Sequence, residues 1–168
     1  MTLSISVQFA STATHLPSRA QVRRWALAAH AGNAGAGDGV VTLRYVDEKE
    51  GRALNRDFRG KDYATNVLTF VHEPVSSAAG SMVRHSSSVV RPAVQPYLAD
   101  IAICAPVIAR EAREQKKSVH DHHAHMVVHG MLHAQGLDHE DAVEAAAMEA
   151  IEIAVLQRFR IENPYESA

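Results

Sequence analysis

The stretch Val119-His-Asp-His-His-Ala-His-Met-Val-Val-His129-Gly-Met-Leu-His133-Ala-Gln-Gly136-Leu-Asp-His139 holds seven of the 11 histidines in a chain of 168 residues. From Val119 to about Gln135 it reads as an apolar helix, and Gly136, free to take a left-handed backbone, stops it. Residues four apart lie one above the other on a helix, so His129 and His133 aim imidazole nitrogens at a common point. The turn after Gly136 brings His139 back to that point. Three neutral imidazoles with one open position form the catalytic type of zinc site, which lowers the pKa of a bound water to about 7. The expected ligands are therefore His129, His133 and His139, holding one zinc ion or another divalent transition metal.

The same residues also admit blander readings. His120, His122 and His123 are expected as solvated residues at the helix start. His125 and His129 are also four apart, but that register has no glycine turn and no third histidine at the right offset. A closed structural zinc needs a fourth ligand, commonly a thiolate, and Cys104 is the only cysteine. The metzincin proteases share the spacing H-E-x-x-H-x-x-G-x-x-H, with the Glu as general base. Here that position is Gly130, so the cage is kept while the peptidase base is absent.

Outward from the histidine helix, the periodicities outline the remaining elements. Leu3, Ile5, Val7 and Phe9 alternate with small polar residues as in a half-buried strand. A helix from Ser18 carries Val22, Trp25, Leu27 and Ala28 on its apolar side. The Gly-rich stretch 32–39 ends that helix and opens a strand at Val40, the reverse of a dinucleotide fingerprint. Asp47 is expected to cap a short helix through Leu54, Val67 to Val71 to form a strand, and Leu98 to Cys104 another. A charged helix is expected over Ala105 to Lys117. A last helix from Asp141 to about Arg160 places Val143, Ala147, Ile151, Ala154 and Val155 on one stripe. Between these, the Ser- and Pro-rich residues 74–96 read as an inserted, mobile loop. The expectation is an α+β fold: a small mixed four-stranded sheet packed by about five helices, in one domain over 1–168.

Composition narrows the function. With 17 basic and 19 acidic side chains the formal net charge is −2, so any nucleic-acid binding must be local. A single cysteine forbids an intrachain disulfide and fits a reducing, cytoplasmic setting. The N-terminus lacks a basic, apolar leader pattern, and no apolar run approaches the roughly 18 residues of a membrane span. Local positives cluster at Arg52, Arg56, Arg59 and Lys61, and again at Arg110, Arg113, Lys116 and Lys117. No paired aromatic strand motif for base stacking is present.

Three ordered motifs resemble those of the YbeY endoribonucleases, also described as rRNA maturation factors. His129-Gly-Met-Leu-His133-Ala-Gln-Gly136-Leu-Asp-His139 is similar to the family's H-G-x-L-H-x-x-G-[YF]-D-H. Asn55-Arg-Asp-Phe-Arg59, continuing to Thr65-Asn-Val-Leu-Thr-Phe70, is similar to N-x-x-[FY]-R with T-D-V-L-S-F. Ala99-Asp-Ile-Ala-Ile103 is similar to G-D-I-x-I. Asn66, Ala99 and Leu137 depart from the usual Asp, Gly and aromatic, and 74–96 is longer than typical; none of these replaces a ligand.

The resemblance implies a metal-dependent, single-strand-specific endoribonuclease that matures the 3′ end of small-subunit rRNA and serves ribosome quality control. Its implied partners are single-stranded RNA, rRNA, the small ribosomal subunit and associated assembly proteins, with no membrane. Read from the residues alone, Arg59 is a solvated charge in a loop with Lys61 and Asp62. The resemblance instead places it in the cleft beside the metal, where its planar donor fork suits a phosphate. Two rivals remain at this level: a metallopeptidase or amidohydrolase using the same cage, and a non-enzymatic ribosome assembly factor with structural zinc. Asp138 reads equally as a partner of a metal-bound imidazole or as the cap of the last helix.

Overall fold

The computed structural model of the chain describes residues 1–73 and 96–166. The element order is β1 (Leu3–Ala10), α1 (Arg19–Gly32), β2 (Gly39–Val46), α2 (Glu48–Arg59), β3 (Val67–His72), β4 (Tyr97–Cys104), α3 (Ala105–Glu114), α4 (Val119–Ala134) and α5 (Ala142–Gln157). This is the expected mixed four-stranded sheet with five helices. The expected loop over 74–96 lies outside the described residues, apart from Pro96.

The four strands line up as β1-β2-β4-β3. β1 runs parallel to β2 from Leu3↔Gly39 to Ala10↔Val46, and β2 runs parallel to β4 from Gly39↔Tyr97 to Val46↔Cys104. β3 closes the far edge antiparallel to β4, from Val67↔Ile103 to His72↔Leu98. Alternation sends Ile5, Val7, Val41, Leu43, Tyr45, Ala99, Ile101 and Ile103 to one face, where they form the core with α1, α4 and α5. Each of the larger of these side chains contributes roughly 1.5–3 kcal/mol on burial. α4 lies directly on β3 and β4, with α1 and α5 beside it. On the other face α2 covers the sheet locally: Arg44 pairs with Glu50 at 2.8 Å, and Phe58 meets Phe70 edge-on.

Capping follows the expected chemistry with one exception. Ser18 and Gln21 form a reciprocal capping box on α1, Ser118 accepts from the Asp121 amide on α4, and Asp141 accepts from Val143 and Glu144 on α5. Asp47 precedes α2 but makes no side-chain cap. Its carboxylate is taken instead by the Ser11 hydroxyl and by Thr12, which bind β1's exit to β2's.

Three expectations fail in detail. His122 and His123 are buried rather than solvated, because α4 is enclosed on several sides and offers little free face. On α5 the buried residues are Met148, Glu152, Val155 and Leu156, while Val143 is 79% exposed. The stripe facing α1 and α4 begins one turn later than the apolar spacing suggests. α2 continues past Leu54 to Arg59, which is therefore the last helical residue rather than part of a loop.

Candidate metal centre

α4 carries His129 and His133 one turn apart, lining a cleft together with Val67 and Thr69 of β3. The register is set by Gly130: a Cβ there would come within 2.9 Å of Ile101 Cγ2 and 3.3 Å of Val67 Cγ2. Helix and sheet approach so closely at this point that a glutamate in the metzincin position would have to enter the packing between β3 and β4. After α4, Gly136 adopts φ +90°, and the Leu137 amide returns to the Leu132 carbonyl. This reversal carries His139 back beside the helix. Donor atoms of His129, His133 and His139 all lie within 4.8 Å of one another, a group able to hold a metal ion.

The outer ring nitrogens of the two helical histidines are fixed. His129 Nδ1 lies 2.6 Å from Glu152 Oε1, and His133 Nδ1 lies 2.9 Å from the Leu137 carbonyl oxygen. A carboxylate and a carbonyl only accept, so both imidazoles carry their proton on Nδ1 and both leave Nε2 bare. The two Nε2 atoms are 3.1 Å apart. Two lone pairs facing each other at that distance do not make a hydrogen bond. Nitrogens each about 2.0–2.1 Å from one tetrahedral ion would sit about 3.3 Å apart, close to what is found. The donor set therefore fits a divalent cation.

Charge supports the same state. Burial, aided by the neighbouring His129 and His139, lowers the His133 pKa below its ordinary 6.5, favouring the neutral ligand form. Burial works to raise the Glu152 carboxyl, but the nearby His125 imidazole and the hydrogen bonds from His129 and Tyr165 outweigh it and hold the group down to about 2. Glu152 is thus an ionised acceptor behind His129. Sequence reasoning missed it. The signal was available, since Glu152 lies four residues from both Met148 and Leu156 in a buried stripe.

The histidines open onto a cleft of about 640 Å³ whose other wall includes Thr65, Asn66, Val67 and Thr69, with Arg59 at its margin. Gly60, in the left-handed conformation at φ +69°, stops α2 directly after Arg59. Buried Asn55 then anchors the following loop through the Tyr63 carbonyl at 2.7 Å. Arg52 pairs with Asp62 and Arg56 with Asp57, whereas no carboxylate pairs with Arg59 among the described residues. The expected basic cluster is thereby reduced, since two of its three arginines are neutralised locally. In the second cluster Arg110 is likewise paired, to Glu48 at 2.8 Å.

A family model described as Endoribonuclease YbeY matches residues 8–160. The chain belongs to the YbeY family. It is 47% identical to the endoribonuclease YbeY of Thiobacillus denitrificans, over 98% of this chain and 97% of that one. It is 45% identical to that of Methylobacillus flagellatus, over 98% and 95%. Against the Azoarcus protein it is 50% identical over 89% of its own length but only 53% of the relative's, so it spans about half of that longer chain. Among solved structures, the solution structure of TM1509 from Thermotoga maritima superposes with a TM-score of 0.56 at 21% identity, covering 96% of this chain and 99% of that one. That likeness is one of fold.

Two of the departures from the YbeY motifs, Asn66 and Leu137, take part in local contacts. Asn66 donates from Nδ2 to the Glu111 carboxylate at 3.2 Å, and its Oδ1 accepts from the Val67 amide at 2.7 Å. Glu111 also takes a proton donor from His122 Nε2 at 2.7 Å. Burial works to raise the Glu111 carboxyl, but these two partners keep it below the usual carboxylate range. Leu137 packs at the edge of the main core while its carbonyl holds His133. Asp138 accepts from the His139 amide at 2.8 Å, and the cap of α5 is Asp141. Neither Nδ1 of the helical ligands is held by Asp138.

Proposed function

We propose that this YbeY-family chain is a zinc-dependent endoribonuclease specific for single-stranded RNA, acting in 3′-end maturation of small-subunit rRNA and in ribosome quality control. The observation that carries the reading is the pair of bare Nε2 atoms of His129 and His133 at 3.1 Å, with His139 returned beside them, at the edge of a cleft that also holds Arg59. The relatives' names supply the RNA substrate.

His129, His133 and His139 hold the ion. When bound, such an ion supplies Lewis acidity toward a phosphate oxygen and lowers the pKa of water toward neutrality. The chain's own residues do the rest. Arg59, unpaired among the described residues and fixed by the Gly60 stop, presents two parallel N–H donors to the scissile phosphate, where negative charge accumulates in the transition state. The cleft admits a single strand lying across the β3 edge of the sheet. Specificity for rRNA is borrowed from the small ribosomal subunit and its assembly proteins, because the charge of this chain is nearly balanced. No helix among the described residues is long and apolar enough to cross a membrane, and the single buried cysteine suits a cytoplasmic protein.

Gly130 weighs against peptidase chemistry, since its position faces the sheet and has no room for a general base. The test is to offer the zinc-loaded protein single-stranded rRNA fragments, the same sequence as duplex, and a peptide library. Cleavage confined to the single strand supports the reading. Peptide cleavage, or no cleavage of RNA by zinc-loaded protein, overturns it.

A further inference from the structure

Behind the candidate metal centre runs a second layer of contacts that involves the end of the chain. Glu152 is completely buried on α5, and each of its oxygens has its own donor. Oε1 takes the His129 Nδ1 proton at 2.6 Å. Oε2 accepts from the Tyr165 hydroxyl, and the Tyr165 oxygen in turn accepts from His125 Nε2 at 3.3 Å. His125 Nε2 is itself 3.7 Å from Glu152 Oε2. The turn that carries Tyr165 is pinned twice: the Tyr165 amide donates to Asn163 Oδ1 at 3.0 Å, and Lys117 Nζ donates to the Pro164 carbonyl at 2.9 Å.

A carboxyl group buried away from water is costly unless each of its oxygens is paired. A single imidazole on Oε1 would leave Oε2 bare, and the carboxylate would swing toward whichever donor it could reach. The Tyr165 hydroxyl removes that freedom. With Oε2 fixed, Oε1 has one orientation, along the His129 Nδ1–H direction. The proton on His129 then stays on Nδ1, and Nε2 points its lone pair into the cleft.

We propose that Glu152 and Tyr165 are positioning residues of the metal centre, Tyr165 holding the Glu152 carboxylate so that it fixes His129 in the tautomer and ring orientation that bind the ion. This deepens the metal-dependent reading above and rests on it. The C-terminal turn at 163–165 thereby belongs to the site, although it lies far along the chain from the histidine helix. Partners of this kind, set one layer behind a ligand, typically change metal affinity by about 10- to 100-fold when removed.

The test uses the full-length protein and zinc ion alone as probe. Long-range nitrogen–proton NMR of the metal-free protein reads the His129 tautomer, and competition with a chromophoric chelator reads zinc affinity. Wild-type protein should show His129 protonated at Nδ1. Glu152→Gln should lower zinc affinity by about 10- to 100-fold. Tyr165→Phe should lower it by about two- to tenfold, the value of one hydrogen bond. The double variant should be no weaker than Glu152→Gln alone, because Tyr165 acts only through Glu152. Should Glu152→Gln fail to fold, Tyr165→Phe, a change at a partly exposed ring, carries the test. Wild-type zinc affinity in a folded Tyr165→Phe, or His129 protonated at Nε2 in the metal-free wild type, overturns the proposal. A His133→Ala variant that binds zinc as tightly as wild type would instead refute the ligand set, and the metal-free tautomer would still decide the part played by Glu152.

Discussion

Gly130 faces Ile101 across the contact between α4 and β4, and a Cβ on Gly130 would stand 2.9 Å from Ile101 Cγ2. Where His129 and His133 sit over the sheet thus depends on this close helix–sheet approach, while their separation follows from helical periodicity. Gly130→Ala should cost about 1–2 kcal/mol: overpacking typically costs 1–3, and alanine's better helix propensity returns up to about 1. Chemical denaturation of the two proteins measures this. A stabilised Gly130→Ala would contradict the packing.

Arg59 is a cleft residue free of local ion pairs among the described residues, unlike Arg52 and Arg56. Arg59→Ala should leave zinc content unchanged and reduce RNA cleavage by about 100-fold or more, as for other transition-state donors. Arg59→Lys should recover only part of the rate, since an ammonium cannot offer two parallel donors. Single-turnover cleavage at saturating protein measures the step directly.

His123 is fully buried with neither ring nitrogen hydrogen-bonded, packed between Tyr45 and His15 with ring centroids 5.5 Å from each. Burial, and then the neighbouring His15, His122 and His120, push its pKa down to about 3. In the unfolded chain the same ring takes a proton near 6.5. Between these values the unfolded state binds more protons, so stability falls as pH falls through the window, by up to about 1.4 kcal/mol per pH unit. His123→Phe should stabilise the fold at pH 7 by about 1–3 kcal/mol and flatten that part of the pH dependence. Denaturation midpoints at pH 7 and pH 5 check both.

Asn66 sits 3.2 Å from the Glu111 carboxylate as a donor. Asn66→Asp would replace attraction with like charge in a partly buried site, and one of the two carboxyls would rise in pKa. The variant should be less stable than wild type at pH 7 by about 1–3 kcal/mol, with the gap narrowing below about pH 5 as the pair takes up a shared proton. Equal stability at both pH values would show that the Asn66–Glu111 contact carries no weight.

The legible parts of this protein were local. Strand alternation in β1, the Ser18 start of α1, the Gly136 stop and the His129, His133 and His139 spacing all depend on neighbours within a few residues, and the structure places them as expected. What was not legible depends on distant packing. The β1-β2-β4-β3 order is a set of non-local pairings. His122 and His123 look like a solvated helix start until α4 is seen enclosed by α1, α3, α5 and the sheet. Asp47 has the right residue type for a cap, but Ser11 and Thr12, 36 and 35 residues away, take its carboxylate. Glu152 lies beside the apolar stripe read on α5, and its partners His129 and Tyr165 are 23 and 13 residues away along the chain.

The most direct measurement is metal content by elemental analysis of wild type and His133→Ala, each purified identically and then incubated with a single-stranded rRNA fragment. Wild-type protein should carry about one zinc per chain and cleave the fragment, and a folded His133→Ala should have lost both. A His133→Ala protein that keeps its metal, or that loses it and still cuts RNA at the wild-type rate, would rule out a catalytic ion held by His129, His133 and His139.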